Sequence, residues 1–244
     1  MLKIVGVLPA RYASVRFPGK PLASIAGKPM ILRVLEAGMA ARRLSRVLVA
    51  TDDERIAAAV RAAGGEAVLT SPDAASGTDR LAEAARSIPA DVYVNIQGDE
   101  PMMSSENIDR AVDALLASPD RGIATIAIEI SAGEASDPNA VKVAVAQDGR
   151  ALYFSRAPIP YPRYGQPSYR KHLGLYAYRA ATLAEVAALP RSPLEKMESL
   201  EQLRWLEAGY DIWVAEAASD SIGVDTPEDL ARVELLLSRK EAVS

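Results

Sequence analysis

Three cations, Arg11, Arg16 and Lys20, fall within the stretch PARYASVRFPGKP, directly after the apolar run KIVGVL. A guanidinium can grip a phosphate through two parallel hydrogen bonds and an ammonium meets it as a point charge, so such a loop has the means to bind a polyphosphate. A solvated basic turn has the same composition, and the charges alone do not separate the two. The common nucleotide loops are absent. Ser14 stands where a phosphate-binding loop would start with glycine, Pro21 follows Gly19 and Lys20 where a hydroxyl residue would be needed, and no glycine fingerprint for a dinucleotide follows the run.

Five further segments carry polar groups of chemical interest. Asp99 in NIQGDEP follows the strand-like DVYVNIQ and emerges where α/β sheets bind ligands, although turn aspartates are common. Asp225 in GVDTPEDL precedes Thr226 and Pro227, so its carboxylate serves a helix N-terminus as readily as a ligand. Ser76 and Arg80 in SGTDR start a helical pattern, with Ser76 an N-cap and Arg80 a surface charge as the structural alternative. In KHLGLYAYR a period of two puts the only histidine, His172, on one face with Gly174, Tyr176 and Tyr178, about 13 Å from Tyr176 by strand rise. Glu201 and Gln202 lie on a helical segment whose stripe Leu194, Met197, Leu200, Leu203 and Leu206 would leave them on a solvated face.

The elements that must position these groups follow from hydrophobic periodicity. KIVGVLP, RVLVAT, EAVLT and DVYVNIQ are short and apolar, and they alternate with the longer patterns MILRVLEAGMAARR, ERIAAAVRAAGG and TDRLAEAARSI. That rhythm predicts successive βαβ units, an α/β fold with a mostly parallel, Rossmann-like sheet and flanking helices. After a helix over 105–117 the pattern changes to GIATIAIEI and AVKVAVAQDGRALYFS, with Asp148 and Gly149 placed as in a type I′ hairpin turn, so the sheet is expected to become mixed. The proline-rich APIPYPRYGQP reads as an exposed arm or lid, because prolines cannot donate to a ladder. Ser192, Pro193 and Glu195 form a capping-box start for the helix through LEKMESLEQLRWLEAG. YDIWVAEA and TPEDLARVELLL close the chain, and no Gly/Ser linker interrupts it, so a single domain over 1–244 is expected, with a β/loop subregion at about 122–180.

Composition narrows the function classes. With 28 Lys and Arg against 32 Asp and Glu, the net charge is -4. A general nucleic-acid or membrane-surface binder usually carries a basic excess instead. Any anionic ligand must therefore meet local positive charge. The absence of cysteine excludes disulfides and thiolate metal sites. The N-terminal apolar run is too short to span a bilayer and lacks a cleavage site, so a cytoplasmic protein is expected.

Beyond these physical signals, PARYASVRFPGKPLASIAGKPMI resembles the N-terminal signature of nucleotidyltransferases that activate acidic sugars with CTP, in particular the 3-deoxy-D-manno-octulosonate (KDO) cytidylyltransferases. ATDDERI, SGTDRLAE, NIQGDEPM, NAVKVAV, ALYFSRAPIPY, KHLGLYAYR, SPLEKMESLEQLRWLEAG and GVDTPEDL are similar to further blocks of that family, in its order, from about residue 4 to about residue 236. Phe17 departs from the family's usual leucine, and the arm from Pro160 to Ser168 is shorter than in some relatives.

The resemblance implies attack by the sugar's anomeric hydroxyl on the α-phosphorus of CTP, giving CMP-KDO and pyrophosphate. By the same match, Arg11, Ser14, Lys20, Ser76 and Arg80 would hold the nucleotide. Asp99 and Asp225 would hold Mg²⁺, and Gln97, Arg156, His172, Tyr176, Glu201 and Gln202 would hold the sugar, with Arg156 on its carboxylate. Arg11, Lys20, Asp99 and Asp225 would be the catalytic set, Mg²⁺ rather than His172 activating the hydroxyl. A homodimer acting in lipopolysaccharide biosynthesis is implied too. The alternatives are a cytidylyltransferase for another acidic sugar, such as an 8-amino KDO or a sialic acid, and an inactive nucleotide-binding module.

Overall fold

The computed structural model describes residues 2–13, 17–74, 76–165 and 168–241, so Ser14 and Arg16 of the basic loop lie outside the described residues. In chain order the elements are β1 (Ile4–Ala10), β2 (Ser24–Ile25), β3 (Lys28–Pro29), α1 (Met30–Ala40), β4 (Arg46–Thr51), α2 (Glu54–Ala62), β5 (Glu66–Leu69), α3 (Gly77–Ala85), β6 (Val92–Asn95) and α4 (Ser105–Leu116). They continue as β7 (Ile123–Ile130), α5 (Ala132–Ala135), β8 (Lys142–Val145), β9 (Ala151–Ser155), β10 (Tyr169–Arg179), α6 (Ala180–Ala187), α7 (Pro193–Glu198), α8 (Gln202–Glu207), β11 (Ile212–Glu216) and α9 (Pro227–Glu241). The chain forms two compact units, Met1–Asp109 with Asp220–Ser244, and Arg110–Ser219. No described helix is long and apolar enough to cross a membrane.

In the first unit the β-branched runs become parallel strands, as the βαβ rhythm predicts. β1 pairs with β4 from Val5 opposite Arg46 to Ala10 opposite Thr51, with β6 on its other side from Ile4 opposite Val92 to Val7 opposite Asn95, and β4 pairs with β5. Val5, Val7, Leu8, Leu48, Val49, Val92 and Val94 are all buried, the continuous apolar pattern of strands covered on both faces. The order β6-β1-β4-β5 reverses direction at β1. Such a reversal opens a crevice at the strands' carboxyl ends, where open α/β sheets bind ligands.

The C-terminal segment completes this unit. Val224 and Val233 join Ile25 and Met30 in one buried cluster, and Glu234 Oε1 accepts a hydrogen bond from the Ala26 backbone at 2.8 Å. Thr226 caps α9 as the sequence suggests: its hydroxyl accepts from Asp229 N at 3.2 Å, and the Asp229 carboxylate reaches back to Thr226 N at 3.0 Å.

In the second unit β7 pairs antiparallel with β10 and parallel with β11, β8 pairs antiparallel with β9, and β10 touches β8 at Lys171 and Lys142. This is the expected change from parallel to mixed pairing. The β8–β9 turn is a correction: only Gly149 has positive φ there (93°), and its N–H donates to Ala146 O at 3.0 Å. A type I turn followed by a left-handed glycine bulge meets those facts, whereas a type I′ turn would need Asp148 left-handed too. The type I′ signature sits instead at Ala26 and Gly27 (φ 46° and 77°), between β2 and β3.

A second correction concerns the helix expected to run on from Ser192. The capping box is present, with Ser192 accepting from Glu195 N and Glu195 answering to Ser192 N. The helix nevertheless breaks at Ser199, which is left-handed (φ 53°), and restarts as α8. The break rotates the apolar stripe out of register, leaving Met197 exposed while Gln202, Leu203, Arg204 and Trp205 are buried. Helix α6, for which no sequence signal was drawn, buries Leu183 and Val186.

Candidate active site

At the carboxyl ends of β1 and β6 lies a cleft of about 300 Å³, within the range of small-molecule sites. Pro9, Ala10 and Arg11 line it from the end of β1, Gln97, Gly98 and Asp99 from the loop after β6, and Ser76, Gly77 and Arg80 from the start of α3. Lys20, Pro21, Ala74 and Asp225 complete the wall. The topological reversal thus gathers Arg11, Lys20, Ser76, Arg80, Asp99 and Asp225, which resemblance singled out for nucleotide and metal, while Ser14 lies outside the described residues. Gly98 allows it: a Cβ there would stand 2.8 Å from Pro9 O, too close for any side chain. Gly19, left-handed at φ 74°, turns the basic loop so that its N–H donates to Tyr12 O at 2.9 Å, and Lys20 follows it into the cleft.

Lys20 Nζ donates to Asp99 Oδ2 at 2.7 Å and to Asp225 Oδ1 at 3.2 Å, so residues far apart in sequence converge on one cationic atom. Their convergence is set by backbone contacts as well, since Val224 N donates to Asp99 O at 2.9 Å. The lysine side chain is only 12% exposed, against 39% and 51% for the two aspartates. The carboxylates therefore keep an open side. A cluster of three or more acidic or histidine groups is absent among the described residues. Two open carboxylates around one cation position suit Mg²⁺, which typically takes one or two carboxylates and fills its octahedron with phosphate oxygens and water.

Ser76 is the N-cap of α3, accepting from Asp79 N at 3.1 Å, and it lines the cleft at the same time. Arg80 is not the surface charge of the structural alternative. It is 3% exposed, donating to Thr70 Oγ1 at 2.5 Å, to Ser71 O at 3.3 Å and to Asp52 Oδ2 at 3.1 Å. A buried guanidinium needs its charge met, and Asp52 does that while fixing its direction. Arg11, by contrast, is exposed at the cleft wall.

The remaining candidates, apart from Gln97, belong to the second unit. His172, Tyr176 and Tyr178 stack along β10 with Trp205 edge-on to both tyrosines, and Phe154 meets His172 edge-on. The ring centroids of His172 and Tyr176 are 5.2 Å apart, against about 13 Å between their backbone positions on an ideal strand, and the pairing register of β10 shifts between Leu173 and Tyr176. Thr125 Oγ1 lies 3.0 Å from His172 Nε2 and 2.7 Å from Leu175 O. Its single proton goes to the carbonyl, so Nε2–H donates to Thr125 and Nδ1 is the acceptor. Burial pushes the imidazole down to about 3, making it neutral and a weak base at pH 7. Burial, helped by Glu201, pushes the Tyr176 phenol well up, and its buried hydroxyl has no hydrogen-bond partner among the described residues.

Arg156 is held by backbone: its Nε donates to Glu198 O at 2.7 Å and one terminal nitrogen donates to Pro138 O at 3.0 Å. Glu201 is half-buried and accepts from Arg204 at 3.1 Å, and Gln202 is buried, so only Glu201 keeps part of the solvated face expected of both. Sequence reasoning passed over Asp52, Gly98 and Lys142. Asp52 shared the short TDDER segment with better-placed acids, Gly98 showed itself only as a glycine after a strand, and Lys142 looked like an ordinary strand lysine.

The sequence model of the cytidylyltransferase family matches residues 5–212. The chain is 53% identical to the 3-deoxy-manno-octulosonate cytidylyltransferase of Acidobacterium capsulatum, over 98% of this chain and 99% of that one. It is 47% identical to the enzyme of the same name from Escherichia coli, over 99% of both. A solved CMP:2-keto-3-deoxy-manno-octonic acid synthetase complexed with CTP superposes with a TM-score of 0.94 at 47% identity, covering 98% of this chain and 99% of that one. A cytidylyltransferase from Leptospira borgpetersenii shares the fold at 16% identity, with a TM-score of 0.67.

Proposed function

The chain belongs to the cytidylyltransferase family, and from that premise we propose that it transfers CMP from CTP to KDO, releasing pyrophosphate, for lipopolysaccharide biosynthesis. The observation that carries the reading is the convergence of Lys20, Asp99 and Asp225 in a cleft at the β1–β6 reversal. Near full-length identity to enzymes named for this reaction supports the choice of CTP and KDO.

The sugar's anomeric oxygen attacks the α-phosphorus, the bond from that phosphorus to the bridging oxygen breaks, and pyrophosphate leaves with the electron pair. Chain groups supply position and charge. Arg11 and Lys20 grip the triphosphate, each charge-assisted contact contributing about 1.5 to 3 kcal/mol, and Arg80, already fixed by Asp52, faces the same cleft. Asp99 and Asp225 would hold Mg²⁺, which when bound neutralises phosphate charge and acidifies the attacking hydroxyl. The family match names Gln97 among the sugar contacts, and in the second unit it names Arg156, His172, Tyr176, Glu201 and Gln202. There the unpartnered Tyr176 hydroxyl and the Nδ1 of neutral His172 await polar partners, as a polyhydroxylated sugar provides. His172 is a hydrogen-bonding group in this scheme and not the base.

The reading includes a homodimer, for which the exposed Tyr161 and Tyr164 of the proline-rich arm, each 85% exposed, offer apolar surface. It also includes a cytoplasmic site of action, where a nucleoside triphosphate is at hand. Pyrophosphate release measured over four nucleotides and several acidic sugars tests it. Release with CTP and KDO well above every other pair is expected. No release with any pair leaves only a binding module, and a preference for another acidic sugar moves the substrate assignment.

A further inference from the structure

Lys142 is fully buried, at 0% exposure, although it begins strand β8 and belongs to none of the groups placed at the reaction. Its ammonium donates to two main-chain carbonyls, Asp137 O at 2.9 Å and Arg156 O at 2.5 Å. An isolated buried ammonium is costly, and protein interiors keep one only where its donors are met. Burial pulls this ammonium's pKa down and Arg156 adds to that, while Asp137 and Glu198 pull it back up. What the lysine organises is the surroundings of one arginine. Arg156 O is its direct acceptor, and Asp137 immediately precedes Pro138, whose carbonyl accepts from the Arg156 guanidinium at 3.0 Å. The opposite side of Arg156 is tied to the end of α7. Glu198 Oε2 accepts from Arg156 N at 2.9 Å, Glu198 O from Arg156 Nε at 2.7 Å, and Glu198 Oε1 from Ser155 Oγ at 2.6 Å.

We propose that Lys142 is a positioning residue for the sugar carboxylate: its buried ammonium clamps the main chain at residues 137 and 156 and so sets the direction in which the Arg156 guanidinium presents its remaining donors. A guanidinium recognises a carboxylate through a planar fork, so a small rotation costs affinity that a point charge would keep. The inference rests on the reading of Arg156 as the group that meets the sugar's carboxylate. Lys142 touches no reactant and acts only through Arg156.

The test is a double-mutant cycle on the full-length enzyme with Lys142→Met and Arg156→Ala, reading KM for KDO, KM for CTP and kcat. Lys142→Met is expected to raise the KM for KDO at least tenfold with the KM for CTP within twofold. In the Arg156→Ala background the same substitution should change the KM for KDO less than twofold. Equal effects in both backgrounds, or a parallel rise in the KM for CTP, overturn the proposal and leave Lys142 a general structural residue. If Arg156→Ala alone leaves the KM for KDO unchanged, it is the reading of Arg156 that fails, and the clamp's assigned purpose with it. Should Lys142→Met not accumulate as folded protein, Lys142→Gln, which keeps amide donors for one of the carbonyls, carries the same comparison under the same criteria.

Discussion

Replacing His172 by phenylalanine should flatten the acid limb of the stability curve. The half-buried imidazole packs against Phe154 and Tyr176, and desolvation pushes its ionisation down from 6.5 to about 3. A group depressed in the folded state is neutral there, while the unfolded chain binds a proton as the pH falls below 6.5. Protons then favour the unfolded state, so the neutral ring's contribution is fully present above pH 6.5 and is lost progressively from 6.5 down to about 3. Each pH unit in that window is worth up to about 1.4 kcal/mol, so at pH 5 the single histidine has removed about 2 kcal/mol. Equilibrium urea unfolding at pH 7.5 and pH 5.0 measures it. The carboxylates titrate alike in both proteins, so the wild type should lose about 2 kcal/mol more than His172→Phe over that interval. An equal loss in both refutes the argument. Because the chain has one histidine, its ring resonance can also be titrated by NMR without assignment, and a midpoint near 6.5 in the folded protein would contradict the burial argument directly. The same neutrality predicts that His172 contributes no limb to the pH–rate profile between pH 6 and pH 8.

Other expectations follow from the cleft. Lys20→Met, which keeps the side chain's bulk and removes its charge, should raise the KM for CTP about 10- to 150-fold, the equivalent of one charge-assisted contact, with little change in the KM for KDO. Gly98→Ala places a Cβ 2.8 Å from Pro9 O and must push the Asp99 loop outward, so steady-state kinetics should show kcat falling at least tenfold. Away from the cleft, Arg204→Met removes the buried guanidinium that meets the Glu195 carboxylate at 3.0 Å and leaves it Arg191 at 3.2 Å, so denaturant unfolding should show a loss of about 1.5 to 3 kcal/mol.

How far the sequence carried depended on how local the determining physics was. The βαβ rhythm, the Ser192 capping box and the Thr226 cap were legible because each is decided within a few residues. The convergence of Lys20, Asp99 and Asp225 was not, since it depends on α9 folding back onto β2 and on the reversal of strand order at β1. Resemblance named those residues, and geometry explains why they meet. The break at Ser199 escaped notice because a left-handed serine has no strong local signature, and the Asp148–Gly149 pair fits two turn types that differ only in the φ of the aspartate. Burial decided the rest: nothing local separates Arg80 or Lys142 from a surface cation, and only the fold shows Asp52 and two main-chain carbonyls meeting their charges.

The proposed reaction is attack at the α-phosphorus of CTP in the cleft where Asp99 and Asp225 converge. It is tested most directly by following CTP labelled at the α- or the γ-phosphate during turnover with KDO and Mg²⁺. The α-label is expected in the sugar product in equal amount to the γ-label in pyrophosphate, and Asp99→Asn and Asp225→Asn should each reduce both at least a hundredfold. A γ-label in inorganic phosphate or in the sugar, or near-normal turnover by either aspartate variant, would contradict it.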